Sequence, residues 1–263
     1  MRRVHAPEIE DEPWCPRVVR DGLTGFLHTA SETLRLYDAV APIVADVVRR
    51  HRATRLVDLC SGGGGPVLRL QRRLAGDGVD VDVVLTDLYP NEAAFADAVA
   101  RGAGTVSAVT DSVDATDVPD DWLGVRTVFN ALHHFRPALA RRIVEDAARK
   151  RQPLVVVELV ERRPQTVGFL LGTPLAVLAF APLQRPWSLS RFALTYALPV
   201  IPALVLWDGM MSCLRAYSAT ELHELTAGLP DDGYSFRVEH VTVPWLPLRL
   251  TVLVGEPVEA TLS

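Results

Sequence analysis

The apolar positions of this chain change period twice. Leu36, Val40, Ile43, Val44, Val47 and Val48 recur at helical spacing. They predict a helix over 31–51 with Ser31 as its N-cap, basic Arg49, Arg50 and His51 in its last turn, and a kink or split at Pro42. Beyond it, short apolar runs bounded by turn residues at 56–60, 81–87, 105–109, 125–131 and 154–160 predict strands. Helical stretches at 66–74, 92–101 and 138–150 alternate with them. That order implies an α/β fold, a mostly parallel sheet with right-handed crossovers and helices on both faces. The runs carry few polar residues, as strands covered on both sides should. Residues 1–30 mix Pro7, Pro13, Pro16, Gly22 and Gly25 with scattered charges and show no period, which predicts an irregular arm with one short helix.

The rhythm then breaks. From Pro164 to Trp207 the only charges are Arg185 and Arg191, and neither 166–183 nor 192–207 holds any. An uncharged run of this length just reaches that of a spanning helix, but Gly168, Gly172, Pro174, Pro182, Pro199 and Pro202 interrupt it. A lid or wall for a hydrophobic ligand, a peripheral membrane contact and a dimer interface all remain open for this insert. Ser218, with Glu221 three residues on, has the spacing of a capping box and opens a helix. Runs at 234–243 and 248–254, around Pro244-Trp245-Leu246-Pro247, predict an antiparallel β-hairpin closing the sheet. The chain is thus expected to be a single domain over 1–263, with an arm at 1–30, a core at 31–163, a hydrophobic insert at 164–211 and a last helix and hairpin at 212–263.

Composition narrows the function. With 49% hydrophobic and 22% charged residues, the 263-residue chain is not an extended disordered one. Its 27 Lys+Arg against 32 Asp+Glu give a net charge of −5, which exerts no pull toward nucleic acid. Cys15, Cys60 and Cys213 are scattered and odd in number, so neither a disulfide framework nor a thiolate metal site is expected, and no metal is assigned. The start, Met-Arg-Arg, runs on into Glu8, Glu10, Asp11 and Glu12 rather than an apolar stretch. This is not the pattern of a secretory leader, and a cytoplasmic protein is expected, with membrane association through the insert left open. Oligomeric state is not legible.

The candidate chemistry sits at the ends of the predicted strands. Asp58-Leu59-Cys60-Ser61-Gly62-Gly63-Gly64-Gly65-Pro66 leads from the first strand into a helix. Glycines there let a ligand approach the backbone, and the helix N-terminus offers free N–H groups; a tight turn would need the same residues. Asp87, at the end of the second strand, is placed to accept two ribose hydroxyl hydrogen bonds, or else to cap the next helix. After the third strand, Asp114 would accept from an adenine amino group while the Ala115 N–H donates to a ring nitrogen. Open α/β sheets bind ligands at this edge.

These residues resemble the class I, Rossmann-like S-adenosylmethionine-dependent methyltransferases. The acid–glycine motif of that family is similar to Asp58-Leu59-Cys60-Ser61-Gly62-Gly63-Gly64, its ribose acid to Asp87, followed by Leu88, and its adenine contact to Asp114-Ala115. The family's segment after the fourth strand resembles Phe129-Asn130-Ala131-Leu132-His133-His134-Phe135, and the closing hairpin is characteristic as well. The resemblance covers roughly 31–163 and 234–255, leaves the insert unexplained, and departs at Cys60, where the family usually has glycine. It implies a three-layer sandwich with a seven-stranded sheet and S-adenosylmethionine as cofactor. Asp58, Cys60, Ser61, Gly62, Gly64, Asp87, Leu88, Asp114, Ala115 and Asn130 would line its site. The implied reaction is in-line methyl transfer to a small hydrophobic or lipid-like acceptor. A nicotinamide-dependent oxidoreductase is the rival, but Val67 stands where its G-x-G-x-x-G/A fingerprint needs a small residue. A non-catalytic binding or scaffold protein attached through its insert is the other alternative.

A sulfonium methyl is already electrophilic, so a base is optional. The candidates facing this edge are His133, His134 and Glu158. Both histidines would equally cap a helix or line the cofactor pocket, and Glu158 would equally pair with an arginine. Asp208, beside the insert, is an outlying candidate, and the Arg215-Ala216-Tyr217 stretch would meet an acidic substrate group or anchor a helix.

Overall fold

A computed structural model describes residues 2–185, 187–229 and 233–258; the tail of the expected hairpin segment, 259–263, lies outside the described residues. In chain order the elements are α1 (Arg17–Leu34), α2 (Ala41–Arg50), β1 (Arg55–Leu59), α3 (Gly65–Gly76), β2 (Asp82–Leu85), α4 (Glu92–Arg101), β3 (Val106–Ala108), β4 (Val125–Phe129), α5 (Pro137–Arg149) and β5 (Leu154–Glu158). The insert follows as α6 (Pro164–Leu170), α7 (Thr173–Phe180), α8 (Leu189–Phe192) and α9 (Val200–Arg215). The chain closes with α10 (Ala219–Thr226), β6 (Tyr234–Thr242) and β7 (Arg249–Pro257).

The seven strands form one sheet in the order β3-β2-β1-β4-β5-β7-β6, parallel except for β7, which runs antiparallel to both β5 and β6. The reversed strand at the β5 side departs from the 3-2-1-4-5-6 order of dinucleotide-binding sheets and weighs against the nicotinamide reading. Every residue of β4 and β5 is buried, because helices cover both faces. Leu68, Leu74 and Phe95 of α3 and α4 pack with α2 on one face. Ile143, Val144, Leu222 and Leu225 of α5 and α10 pack on the other. A buried ion pair, Arg126 Nη1 to Asp146 at 2.7 Å, clamps β4 to α5. The predicted capping box is present: Ser218 and Glu221 bond each other's backbone N–H at the start of α10.

The start of the chain differs from expectation. Residues 17–34 form one long amphipathic helix, α1, burying Val19, Leu23, Phe26 and Ala30 at helical spacing. Gly22 is not a breaker but a packing notch: a Cβ there would stand 2.6 Å from Ile201 Cδ1 of α9. Ser31 is correspondingly not an N-cap; it lies inside α1, its hydroxyl donating to the His28 carbonyl at 2.9 Å. The expected 31–51 helix is interrupted at Arg35, whose φ is +56°, and at a 3-10 turn, Asp38–Val40. Pro42 falls in the first turn of α2, where the ring costs no hydrogen bond, so it starts a helix instead of kinking one.

The insert is a helical layer whose inner side joins α1: Val177, Ile201 and Val205 pack against Cys15, Val19, Leu23 and Phe26. Helix α9 also packs on the Leu132–His134 turn after β4 and crosses the boundary expected at 211. Its outer side leaves Leu171, Leu175, Leu189 and Leu198 exposed. No single described helix is long and apolar enough to cross a membrane; two consecutive pairs pass on composition but bend by 41° and 78°.

Candidate active site

The loops leaving β1, β2 and β3 are tied to one another at the C-terminal edge of the sheet. The Ser61 N–H donates to the Thr86 carbonyl and the Val113 N–H to the Asp87 carbonyl, both at 2.9 Å, while Ser112 Oγ donates to the Leu88 carbonyl at 2.6 Å. The first loop turns through left-handed residues at Cys60, Gly62 and Gly64, with φ of +56°, +53° and +69°. Gly64 is sterically required, since a Cβ would stand 2.8 Å from Leu85 Cδ1. At Gly62 a Cβ would meet nothing within 4 Å, so this stretch of backbone faces open space. Cys60 takes the left-handed conformation with a side chain in place, at the position where the resembled family has glycine.

Asp87 is half-buried above this loop, its Oδ2 accepting from the Gly62 N–H and its Oδ1 from the Tyr89 N–H, each at 2.9 Å. It is not the cap of α4; Asn91 is, through Oδ1 and the Ala94 N–H. Leu88 lies exposed beside it. Asp114 is exposed and accepts from the Thr116 N–H at 2.8 Å, with Ala115 buried next to it. Asp58, expected to line the site, is instead covered. It is 3% exposed and its Oδ1 accepts the hydroxyl of Thr127, its register partner on β4, at 2.6 Å. Burial pushes its carboxyl up to about 7, with the Asp87 charge adding to the rise and the Thr127 and Ser61 hydrogen bonds opposing it. Asp58 therefore supports the loop from below, while Asp87 and Asp114 reach the surface. All three acids act on the Cys60 thiol, which burial and then Asp87, Asp58 and Asp114 push up to about 12. They converge on one edge; concavities of about 510 and 280 Å³ lie beside Arg3 and Tyr217 and beside Thr116 and Arg142, and none of the three acids lines either.

A second cluster occupies the ends of β4 and β5. Asn130, with φ of +50°, spends its backbone N–H on the Val157 carbonyl at 2.7 Å and its Oδ1 on the Leu159 N–H at 3.3 Å, so it ties the two strand ends together. Glu158, the last residue of β5, accepts from the His133 N–H at 3.2 Å and bonds His133 Nδ1 at 2.6 Å. His133 is fully buried and its Nε2 has no hydrogen-bond partner. The His134 ring lies 4.3 Å from it, and His134 Nδ1 is 3.1 Å from Asp11 Oδ2. Burial disfavours the His134 imidazolium, but the Asp11 hydrogen bond and the Glu8, Asp11 and Glu10 charges outweigh it and raise its pKa to about 9.

The other side of this cluster comes from the arm, which the sequence did not place here. Glu8 is buried, its carboxylate oxygens 3.8 Å from His133 Nε2 and 3.9 Å from His134 Nε2. Arg215 Nη1 bonds Glu8 Oε1 at 3.0 Å and Asp11 Oδ2 at 2.9 Å. Asp208 accepts the Ile9 and Glu10 N–H groups at 2.7 and 3.1 Å, so it anchors the arm. Burial, together with Glu8 and Asp208, pushes the Glu10 carboxyl up to about 7. Arg3 donates to the Phe135 carbonyl at 3.0 Å and lies 4.0 Å over the Tyr217 ring, whose hydroxyl meets the same carbonyl. The density of acids at 8–12 was the available signal, though nothing in it named the partner.

No family model and no curated protein matches the chain. Among solved structures it resembles the pyocyanin biosynthetic protein PhzM at a TM-score of 0.51 and 17% identity, over 86% of this chain and 56% of that one. It resembles the plantazolicin methyltransferase BpumL, solved in complex with SAH, at a TM-score of 0.51 and 8% identity, over 90% and 97%. An O-methyltransferase family protein from Burkholderia thailandensis aligns at 0.49 and 15% identity over 88% of this chain and 58% of that one. The chain thus spans little more than half the length of PhzM and of the Burkholderia protein. What the two likenesses at 0.51 establish is the fold alone, a Rossmann-like α/β fold shared with the methyltransferase BpumL.

Proposed function

We propose that the chain transfers a methyl group from S-adenosylmethionine to a small apolar acceptor. One observation carries this reading: three strand-end loops converge so that the open backbone at Gly62 lies against Asp87, with Asp114 beside them. These residues fit an adenosyl group. Each Asp87 oxygen accepts one backbone N–H, which fixes the carboxylate and leaves a lone pair on each for a ribose hydroxyl. Asp114 is exposed, with one oxygen on the Thr116 N–H and the other free to accept from an adenine amino group. BpumL, a methyltransferase solved in complex with SAH, shares this fold and supports the choice of reaction.

When bound, the cofactor supplies an electrophilic methyl on sulfur. The chain's part is to orient the acceptor and exclude water. The ends of β4 and β5 supply the acceptor side, where Glu158 holds His133 by its backbone N–H and by Nδ1. Helix α9 packs on the His133–His134 turn, and the apolar helical layer it shares with α1 and α7, which leaves Leu171, Leu175, Leu189 and Leu198 exposed, supports an apolar acceptor. Calorimetric titration with S-adenosylhomocysteine tests the reading. We expect binding by the wild type that Asp87→Ala weakens; absence of binding, or equal affinity in the variant, contradicts it.

A further inference from the structure

We propose that Glu8, His133 and His134 bind a divalent metal ion, zinc by their donor chemistry, between the N-terminal arm and the turn after β4. This goes beyond the methyl-transfer reading and does not depend on it. The three side chains bring one ligand atom each to within 4.8 Å of the others. The carboxylate oxygens of Glu8 stand 3.8 and 3.9 Å from the two Nε2 atoms, too far for hydrogen bonds. Donors about 2.1 Å from a tetrahedral zinc stand about 3.4 Å apart, so the cluster needs only a small closure to surround an ion.

The hydrogen-bond pattern prepares both rings as ligands. A carboxylate only accepts, so Glu158 at 2.6 Å and Asp11 at 3.1 Å draw the ring protons to Nδ1, the Arg215 Nη1 contact to His134 Nδ1 being longer at 3.4 Å. Both Nε2 lone pairs are then left toward Glu8, the carboxylate–histidine–metal arrangement in which the outer acid fixes the tautomer and raises ligand basicity. His133 gives the independent sign of a missing partner: its side chain is fully buried and Nε2 has nothing to bond. Arg215 holds Glu8 Oε1 at 3.0 Å, which orients the carboxylate and leaves it lone pairs to spare.

Charge agrees. A bound ion would displace the extra proton of His134, leaving both imidazoles neutral, and would then face the carboxylates of Glu8 and Asp11, which share the Arg215 guanidinium, and that of Glu158. A divalent cation balances the remainder. Two imidazoles and one carboxylate suit zinc better than magnesium or calcium, and three protein ligands leave a fourth position for water or an acceptor oxygen. The ion would also fasten the arm, through Glu8, to the turn that carries both histidines.

The test is a titration of the chelator-stripped full chain with Zn2+ against a competing chromophoric chelator. Co2+ serves as spectroscopic probe, and S-adenosylhomocysteine affinity is measured alongside. We expect one equivalent bound at micromolar affinity or tighter, a four-coordinate Co2+ absorption band, and a loss of about 100-fold or more in both Glu8→Gln and His134→Ala. Circular dichroism checks that the variants fold. X-ray absorption of the wild-type zinc protein, expected to show two imidazoles with oxygen donors, keeps the test decisive if they do not. Failure of the wild type to bind, sulfur donors, or affinities within about threefold across the variants would overturn the site. Zinc bound without the nucleoside would contradict the methyl-transfer reading alone, and the nucleoside bound without zinc would contradict this one alone.

Discussion

Gly62 and Asp87, which bond each other on the nucleoside side of the sheet edge, stand 25 positions apart, whereas Arg215 and Glu8, which close the histidine side, stand 207 apart. On the first side, function follows from turn chemistry: left-handed residues, a strand end and a short acidic loop. On the second, the same kind of polar cluster is assembled from the arm, the end of β4, the end of β5 and the last turn of α9. Local geometry leaves a signature in adjacent residues, while long-range pairing leaves only unexplained charges.

If the two sides are energetically separate, substitutions should divide cleanly between them. The largest effect is expected from Arg215→Ala, which leaves the buried Glu8 carboxylate without its guanidinium. Losing one partner of a buried pair costs roughly 3–5 kcal/mol. Chemical denaturation should show that loss, and limited proteolysis should show a released arm, with S-adenosylhomocysteine affinity unchanged. A parallel loss of nucleoside binding would mean that the two sides are coupled.

Next is pH. The folded pKa of Asp58, about 7, lies above its value in the unfolded chain, so the native state keeps a proton that the unfolded chain releases. This contribution is fully present below about pH 4 and is lost as pH rises toward 7, by roughly 3–4 kcal/mol. Asp58→Asn keeps an acceptor for Thr127 and should remove that slope. The difference in unfolding free energy between wild type and variant, followed from pH 4 to 8, measures it; parallel curves would show that Asp58 is charged at low pH in the folded state.

Asp87→Ala should follow, weakening S-adenosylhomocysteine by about 2 kcal/mol, or about 30-fold, the range of hydrogen bonds to a charged acceptor. Zinc affinity, measured in the same samples, should not move. Cys60→Gly is the smallest. Relieving a side chain at φ +56° should stabilise the fold by about 0.5–1 kcal/mol, net of the entropy glycine adds to the unfolded chain. A thermal melt reads the gain, and a lowered melting temperature would show that the Cys60 thiol contributes packing that outweighs the strain.

The same division governs what was legible in the sequence. Strands β1 to β5 announced themselves as short, largely apolar runs bounded by turn residues, the hairpin as two β-rich runs around Pro244-Trp245-Leu246-Pro247, and the capping box of α10 because both its members lie within one helical turn. Helix α1 was hidden by glycine: Gly22 reads as a breaker until Ile201, far along the chain, is seen to fill its notch. Asp58 was legible as a strand-end acid but not as a buried one, since its cover is Thr127, supplied by register with β4. His133, His134 and Glu158 were recognised by type, yet Glu8, Asp11 and Arg215 complete their surroundings through contacts that no local pattern encodes.

Hydrogen–deuterium exchange with and without S-adenosylhomocysteine tests the separation of the two sides most directly. Protection of amides around 60–65, 87–89 and 114–116, with none around 131–135, is the predicted result. No protection at those three loops, or protection centred on the histidine turn, would contradict the placement of the adenosyl group on the strand-end acids.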